Sequence, residues 1–257
     1  EKIISKYSRQ LNIQKLVYPE QSLSKTRQLG LVNAYAKYVA FVDDDVSVSP
    51  EWTKSITNIF QKNKNIGGIS GPTIVPQSLL KNRDVFFFHQ NNGFFAKFYR
   101  YFFLENQPYA VGKLFKCGAW SPGSNFTSCL KIKDLANVDY LEACNMVLRK
   151  DLALIAGGFN TKYSGTAEWC ELDLAIRVKN LGYSLVFNQQ VKVDHYLSRR
   201  GAYPRRGSVI PRAANFLRFY FTHVFKPTPV YFFKFLCYLF FLICYALYKM
   251  FRHHRQF

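Results

Sequence analysis

The sequence predicts an α/β fold with a ligand site at the carboxyl end of a strand, and two observations carry that expectation. The first is a strand–helix–strand–helix–strand rhythm between Ile13 and Pro72, which implies a parallel sheet joined by right-handed crossovers. The second is the stretch Phe41-Val42-Asp43-Asp44-Asp45-Val46-Ser47-Val48-Ser49-Pro50, where an apolar run leads straight into three carboxylates. Val39–Val42 has the continuous apolar character of a buried parallel strand, so the acidic run falls at its carboxyl end. Open α/β sheets bind ligands there. Adjacent carboxylates repel one another and resist burial unless a cation or strong donors neutralise them. A hard divalent cation carrying a diphosphate would do so; a solvated acidic turn is the bland alternative.

Taken in order, Ile13–Val17 reads as a short strand. Ser24 reads as the N-cap of a helix running to about Lys37, with Leu29, Val32 and Ala36 on one face. Trp52–Asn63 is an amphipathic helix, and Gly67-Gly68-Ile69-Ser70-Gly71-Pro72 is a strand ending in a turn. Asp84–Leu104 holds Phe86-Phe87-Phe88, Phe94-Phe95 and Tyr101-Phe102-Phe103; it is either a core helix or an aromatic face at a lipid interface. Lys113–Ser128, rich in Gly, Ser and Asn, reads as a loop lining a cleft. Leu141–Arg149 reads as a strand, Asp151–Ala156 as a helical turn closed by Gly157-Gly158-Phe159, and Glu168–Leu181 as a helix ended by Gly182. Tyr183–Phe187 and Val191–Val193 are short strands, the second ending at Asp194-His195.

The formal charge is +19, from 35 Lys and Arg against 16 Asp and Glu. From Lys192 onward there are 12 basic residues and one acid, Asp194, so +11 of that excess sits at the end of the chain. Such a field attracts polyanions: nucleic acid, anionic headgroups or phosphorylated substrates. Aromatics at 18% with no nucleic-acid motif exclude the first and fit a membrane-facing protein. Phe235–Tyr248 carries no charge over about 21 Å of helix, short of a ~30 Å hydrocarbon core. Extending it from Val230 to Phe251 includes Lys234 and Lys249, which would have to snorkel. An interfacial helix and a short span are both open. The six cysteines form no CxxC pair and imply no disulfide framework. With Glu1 first and its opening residues resembling the middle of a fold, the chain reads as a fragment.

Four further features suit one chemistry. Arg27, in Ser24-Lys25-Thr26-Arg27-Gln28-Leu29-Gly30, lies near a helix start, where a cation can grip a base or phosphate. Glu168-Trp169-Cys170-Glu171-Leu172-Asp173 opens a helix with three carboxylates, and the two-residue offset sends Glu171 and Asp173 in different directions. His195 closes a strand and could join a metal shell. Arg199, Arg200, Arg205, Arg206 and Arg212 form a basic loop able to neutralise a departing diphosphate.

Together these resemble a family 2 glycosyltransferase of the GT-A fold, an inverting class using nucleotide sugars. The matching pieces are Thr26-Arg27-Gln28-Leu29-Gly30, Tyr38–Asp45, Cys144-Asn145, Gly157-Gly158-Phe159, Cys170–Arg177 and His195, covering about Leu16 to Asn215. The resemblance implies a Rossmann-like mixed sheet flanked by helices, lacking its first strand and helix. It divides the chain into a transferase domain at 1–215 and a membrane-associated segment at 216–257. Asp43 and Asp45 match the D-x-D motif, with Asp43 toward ribose or sugar, Asp44 in the variable middle, and Asp45, joined by His195, on Mn²⁺ or Mg²⁺. Arg27, Asp43, Asp44, Arg205 and Arg206 fall to the nucleotide-diphosphate sugar. The helix-opening motif Glu-Asp-x-Asp-Leu places Glu171 in the general-base position, one methylene longer than the usual Asp but of similar intrinsic acidity. Cys170 replaces the motif's Glu, while Asp173 and Arg177 match as structural contacts.

The expected enzyme is therefore a membrane-associated inverting glycosyltransferase facing the cytoplasm, acting on a hydroxyl of a lipid-linked or glycan acceptor. Two rivals stand beside it: a synthase that glycosylates a polyprenyl phosphate, whose anionic nucleophile needs no base, and a non-catalytic relative kept as a membrane scaffold.

Overall fold

A computed structural model of the chain describes residues 2–80, 84–196 and 209–254. In chain order the elements are α1 (Lys2–Tyr7), α2 (Leu23–Asn33), β1 (Tyr38–Val42), β2 (Val46–Val48), α3 (Trp52–Lys62), β3 (Ile66–Ser70), β4 (Thr73–Ile74), α4 (Gln77–Leu80), α5 (Asp84–Gln90), α6 (Phe94–Phe102), β5 (Ala136–Asn137), β6 (Asn145–Arg149), α7 (Lys150–Ile155), α8 (Cys170–Asn180), β7 (Ser184–Phe187), β8 (Val193–His195), α9 (Val209–Phe219) and α10 (Pro229–His254). The expected C-terminal boundary at residue 215 falls inside α9.

The main sheet has the order β1-β6-β3-β7-β5, and it is mixed. β3 and β7 are parallel, while β6 runs antiparallel to both β1 and β3. The parallel sheet read from the strand–helix rhythm is thus corrected, and the mixed sheet that the resemblance implies is the one found. β1, α3 and β3 do form a crossover unit, but β6 enters between the two strands from far along the chain. The Val39–Val42 strand is also not buried on both sides: β1 is the outermost strand of the described sheet, and Val42 is 41% exposed. A short apolar run looks the same in sequence whichever way its neighbour points.

Alternation along the central strands sorts side chains to two faces. Val147 of β6 and Val186 of β7 meet Trp52, Ile56, Ile59 and Phe60 of α3 on one face. Met146, Leu148, Leu185 and Phe187 meet Leu152 of α7 and Leu174 and Val178 of α8 on the other. Gly67 lets α8 approach: a Cβ there would lie 2.7 Å from Val178. A small second sheet, β2-β8-β4, pairs β2 antiparallel and β4 parallel to β8.

Two local expectations fail for tertiary reasons. Ile13–Val17 is irregular, and no described strand pairs with it. Helix α2 is capped by Ser22, whose hydroxyl accepts from the Lys25 amide, and it stops at Asn33 rather than near Lys37. Ser24 is buried inside the helix and donates to the Tyr163 carbonyl at 2.8 Å. Leu31 is the buried apolar residue of this helix, and Val32 is exposed.

Asp84–Leu104 resolves into α5 and α6, which bury some of their aromatic residues as a core and leave others exposed. Phe86, Ala96, Phe103 and Leu104 are buried, whereas Phe87, Phe94, Phe95 and Tyr101 are exposed. Helix α10 packs on the inner rings: Phe241 lies 5.4 Å from Phe88 and 5.2 Å from Tyr99, and Tyr238 5.2 Å from Phe103. Lys234 latches it, with Nζ 2.9 Å from Glu105 Oε1 and 3.3 Å from the Phe102 carbonyl. Pro229–Tyr248 is long and apolar enough, by length and composition, to cross a membrane, and little of it is buried.

Candidate active site

Strand register builds the site. In the β1–β6 pair Val42 faces Asn145, so Asp43, just past β1, comes opposite Cys144, just before β6. In the β2–β8 pair Val46 faces His195, and the Tyr196 amide donates to the Asp45 carbonyl at 2.8 Å. Three elements therefore converge on the acidic turn. His195 Nε2 lies 3.2 Å from Asp45 Oδ1, and His195 Nδ1 lies 3.6 Å from Cys144 Sγ. Donor atoms of Asp43, Cys144 and His195 all fall within 4.8 Å of one another. Burial above all, then the carboxylates of Glu142, Asp43 and Asp45, pushes the Cys144 thiol well above its ordinary range. Asp44 is exposed.

Arg27 joins this turn to the start of α8. Its guanidinium pairs with Glu171, approaches Asp43 Oδ1 at 3.7 Å, and lies 3.7 Å from Cys170 Sγ. Arg27 and Glu171 are 10% and 8% exposed at their side chains, so this is a buried pair. Burial raises the Cys170 thiol to about 11 despite the neighbouring Arg27. The position where the resembled motif has Glu thus holds a neutral group, which leaves Arg27 shared between Glu171 and Asp43.

Asp173 points elsewhere, as its offset predicts. Its carboxylate accepts from Arg177 Nε and Nη2 at 3.0 and 2.6 Å and lies 2.7 Å from His223 Nε2. Burial opposes ionisation of Asp173, but the His223 hydrogen bond and Arg177 outweigh it and hold the carboxyl below its ordinary value. His223 sits in a π-helical turn, Tyr220–Val224, that follows α9. Arg177 also donates to the Gly158 and Ala156 carbonyls, and Gln28 accepts from the Phe159 amide at 2.7 Å. Gly158, at φ +67°, has no room for a side chain: a Cβ would lie 2.2 Å from Gln28. Helix α2 and the Gly-Gly-Phe turn are thereby fixed to α8, and with them Arg27 to Glu171. Trp169, which precedes the helix, and Ala167 both adopt positive φ (71° and 50°), strain of the kind concentrated at functional sites. Asn215 of α9 clamps this loop through both the amide and the carbonyl of Ser164.

The structure brings together Arg27, Asp43, Asp45, Glu171 and His195. Arg205 and Arg206, with Arg199 and Arg200, lie outside the described residues; Arg212 pairs with Glu168 at 3.2 Å. Asn145 is fully buried, accepting from Trp52 Nε1 and donating to the Val191 carbonyl, so it shapes the site without facing it. Sequence reasoning missed Cys144 as a donor and His223 as the partner of Asp173. Cys144 belongs to the matched piece Cys144-Asn145, but its place opposite Asp43 follows from the antiparallel pairing of β6 with β1, which no local signal gives. Nothing local marked His223.

No protein-family model matches the chain, and no curated protein sequence does. Solved structures do. GalNAc-T7 with UDP, GalNAc and Mn²⁺ matches with a TM-score of 0.54 at 14% identity, over 86% of this chain and 38% of that one. The mannosyltransferase PcManGT from Pyrobaculum calidifontis, in complex with GDP-Man and Mn²⁺, matches with a TM-score of 0.50 at 14% identity, over 91% of this chain and 54% of that one. This chain therefore spans little more than a third and about half of those proteins. At this identity the likeness shows the fold: an α/β GT-A architecture, a mixed sheet flanked by helices, with an apolar helix appended.

Proposed function

We propose that this chain is the catalytic part of a metal-dependent inverting glycosyltransferase of family 2 type. In this reading it moves a sugar from a nucleotide-diphosphate donor to a hydroxyl of a lipid-linked or glycan acceptor at the cytoplasmic membrane surface. The observation that carries it is the shared Arg27, with the candidate base Glu171 on one side and the acidic turn Asp43–Asp45 on the other. That arrangement sets a proton acceptor and a leaving-group site on either side of one cation. The Mn²⁺ of both matched proteins, with UDP and GalNAc in one and GDP-Man in the other, supports it by analogy of fold.

The donor set fits a divalent cation, since carboxylate, imidazole and thiol donors converge within 4.8 Å. Asp45 and His195, with Asp43 beside them, are the residues that would hold Mn²⁺ or Mg²⁺. When bound, the cation supplies positive charge at the leaving diphosphate. The protein does the rest. Glu171 takes the proton of the acceptor hydroxyl; its oxygen bonds to the anomeric carbon as the bond to the diphosphate breaks from the opposite face. The departing electron pair ends on a phosphate oxygen, which Arg27 is placed to meet. Asp44, Arg205 and Arg206 complete the donor contacts in this proposal. Residues 1–215 form the transferase unit. Residues 216–257 are the membrane-associated segment in this reading, with one face of α10 packed on Phe103 and Tyr99 and Phe233, Phe240 and Ile243 exposed.

The test follows nucleotide release from a panel of UDP- and GDP-sugars with Mn²⁺, in membranes. Glu171→Gln is expected to lower turnover by roughly 10²–10⁴-fold, and chelator to abolish it. The buried Arg27–Glu171 pair favours one second reading, a polyprenyl-phosphate sugar synthase, because a carboxylate held by arginine is a weakened base. Metal-dependent release that ignores Glu171→Gln would select it, and no release with any donor would sink both.

A further inference from the structure

The first turn of α8 is held by two carboxylates, and the partner of the second comes from far along the chain. Glu171 pairs with Arg27, while Asp173 meets His223 with 2.7 Å between its Oδ1 and the imidazole Nε2. Asp173 is buried and kept ionised, so its oxygens only accept and Nε2 is the donor. Arg177 binds the same carboxylate, but it belongs to α8 itself, so that bond cannot fix where the helix start lies. Its bonds to the Ala156 and Gly158 carbonyls hold the helix one turn further along. The Tyr163 hydroxyl reaches Asp173 only at 3.4 Å. Among the described residues, His223 is thus the closest partner tying this carboxylate to another part of the fold.

His223 is also firmly mounted. It belongs to the π-helical turn Tyr220–Val224, an irregularity often found at functional sites. The same turn is pinned to α10: the Tyr220 ring stacks on Phe235 at 4.4 Å, and its hydroxyl lies 3.0 Å from the Tyr231 carbonyl. We propose that His223 is a positioning residue: through Asp173 it sets the start of α8 and so holds the candidate base Glu171 in place against Arg27. The His223 side chain is 4% exposed, so it acts through Asp173 and not on substrate. The inference deepens the proposed function and rests on it for the role of Glu171. It adds the turn between α9 and α10 to the machinery of that site.

The experiment compares the full chain as wild type, His223→Ala and His223→Gln, reading nucleotide release with Mn²⁺ and, separately, amide hydrogen exchange. His223→Ala is expected to lower kcat by about 10²-fold, the scale of a small misplacement of a reacting group, with the donor KM unchanged. Exchange should quicken in the first turn of α8 while α3 and β3 keep wild-type protection. His223→Gln, whose amide nitrogen can donate from near the position of Nε2, is expected to recover most of both. Wild-type kcat, unchanged exchange at α8, or protection lost evenly across the fold in His223→Ala each overturns the proposal. Should His223→Ala fail to fold, His223→Gln and His223→Asn decide, because the shorter amide does not reach Asp173. A higher kcat in the Gln variant than in the Asn variant supports the proposal, and any other order overturns it. If wild type releases no nucleotide from any donor, the glycosyltransferase reading fails. Exchange at α8 in the same variants then decides by itself whether His223 sets the helix start.

Discussion

The two halves of this molecule hold charge in opposite ways. Around the acidic turn, polar and charged side chains interlock, the Arg27–Glu171 pair and Asp173 buried among them: Arg27 between Glu171 and Asp43, Asp173 between Arg177 and His223, His195 against Asp45. In the layer formed by α5, α6 and α10, rings stack on rings and one half-buried carboxylate, Glu105, is pinned by Lys116 and Lys234. Buried charge gives geometric definition at an energetic cost, because each ion must keep its partner or become a liability. Apolar packing gives stability without direction. The difference separates a half built to hold polar side chains in fixed geometry from a half built to bury surface.

The sharpest way to break this comparison is to remove the shared cation. Arg27→Met leaves Glu171 buried without its partner, and breaking a buried pair in this way costs about 3–5 kcal/mol. Turnover is expected to vanish as well. Urea unfolding of the variant beside wild type checks the first expectation and nucleotide release the second. Unchanged stability would mean that Glu171 had simply taken up a proton and that the pair does not organise the site.

In the aromatic half the comparable lesion is a cavity. Phe103 is 3% exposed and touches Tyr238 and Phe241 of α10. Phe103→Ala is expected to lose about 3–5 kcal/mol, less if the neighbouring rings collapse inward. It is also expected to loosen α10, read as faster protease cleavage after Lys226. Loss of stability with α10 still protected would show that the Lys234 latch alone suffices.

The two halves were unequally legible in the sequence. Asp43–Asp45, Arg27 and Glu171 stood out in the sequence as charged residues in a resembled pattern, and the structure brings them together. The antiparallel insertion of β6 did not, since nothing local distinguishes a strand entering against its neighbours from one running with them. Ser24 looked like a helix cap because capping residues and buried hydrogen-bonding serines are the same residue, and only Tyr163, 139 positions away, decides between them. His223 was invisible for the same reason. It is placed by the π-helical turn after α9, and its partner Asp173 comes from another helix. The aromatic stretch was legible as amphipathic, but which rings face inward depended on α10 arriving to cover them.

A smaller effect sharpens the contrast through pH. Burial opposes ionisation of Glu105, yet hydrogen bonds from Lys234 and Lys116 outweigh it and hold the carboxyl below its ordinary value. A folded-state value below the unfolded one gives stability that is complete above the ordinary carboxylate range and lost as pH falls through the folded value. Asp173 has the same sign in the other half. Acid should therefore weaken both halves, and Glu105→Gln should remove only the aromatic layer's share. The check is the slope of stability against pH below the ordinary carboxylate range, with protease access to α10 as the local readout. An unchanged slope in Glu105→Gln would mean that the latch is too exposed to matter, as surface pairs often are.

The smallest expected change in stability carries the most information about what the outer rings are for. Phe94 and Phe95 are 77% and 78% exposed at the start of α6, and Phe233 and Phe240 of α10 are exposed as well. Exposed side chains contribute little to folding, so a Phe94→Ser, Phe95→Ser double variant should stay within about 0.5 kcal/mol of wild type per site. If these rings enter a bilayer interface, each would bury its surface there instead. At roughly 1.5–3 kcal/mol for a fully buried ring, the pair should weaken vesicle binding by at least tenfold. Flotation with vesicles containing anionic lipid measures this at low and high salt. Equal loss at both salts assigns the binding to the rings. Binding that salt removes but the double variant does not would assign it to the basic residues, and the aromatic layer would then be a core with an uncovered side rather than a membrane face.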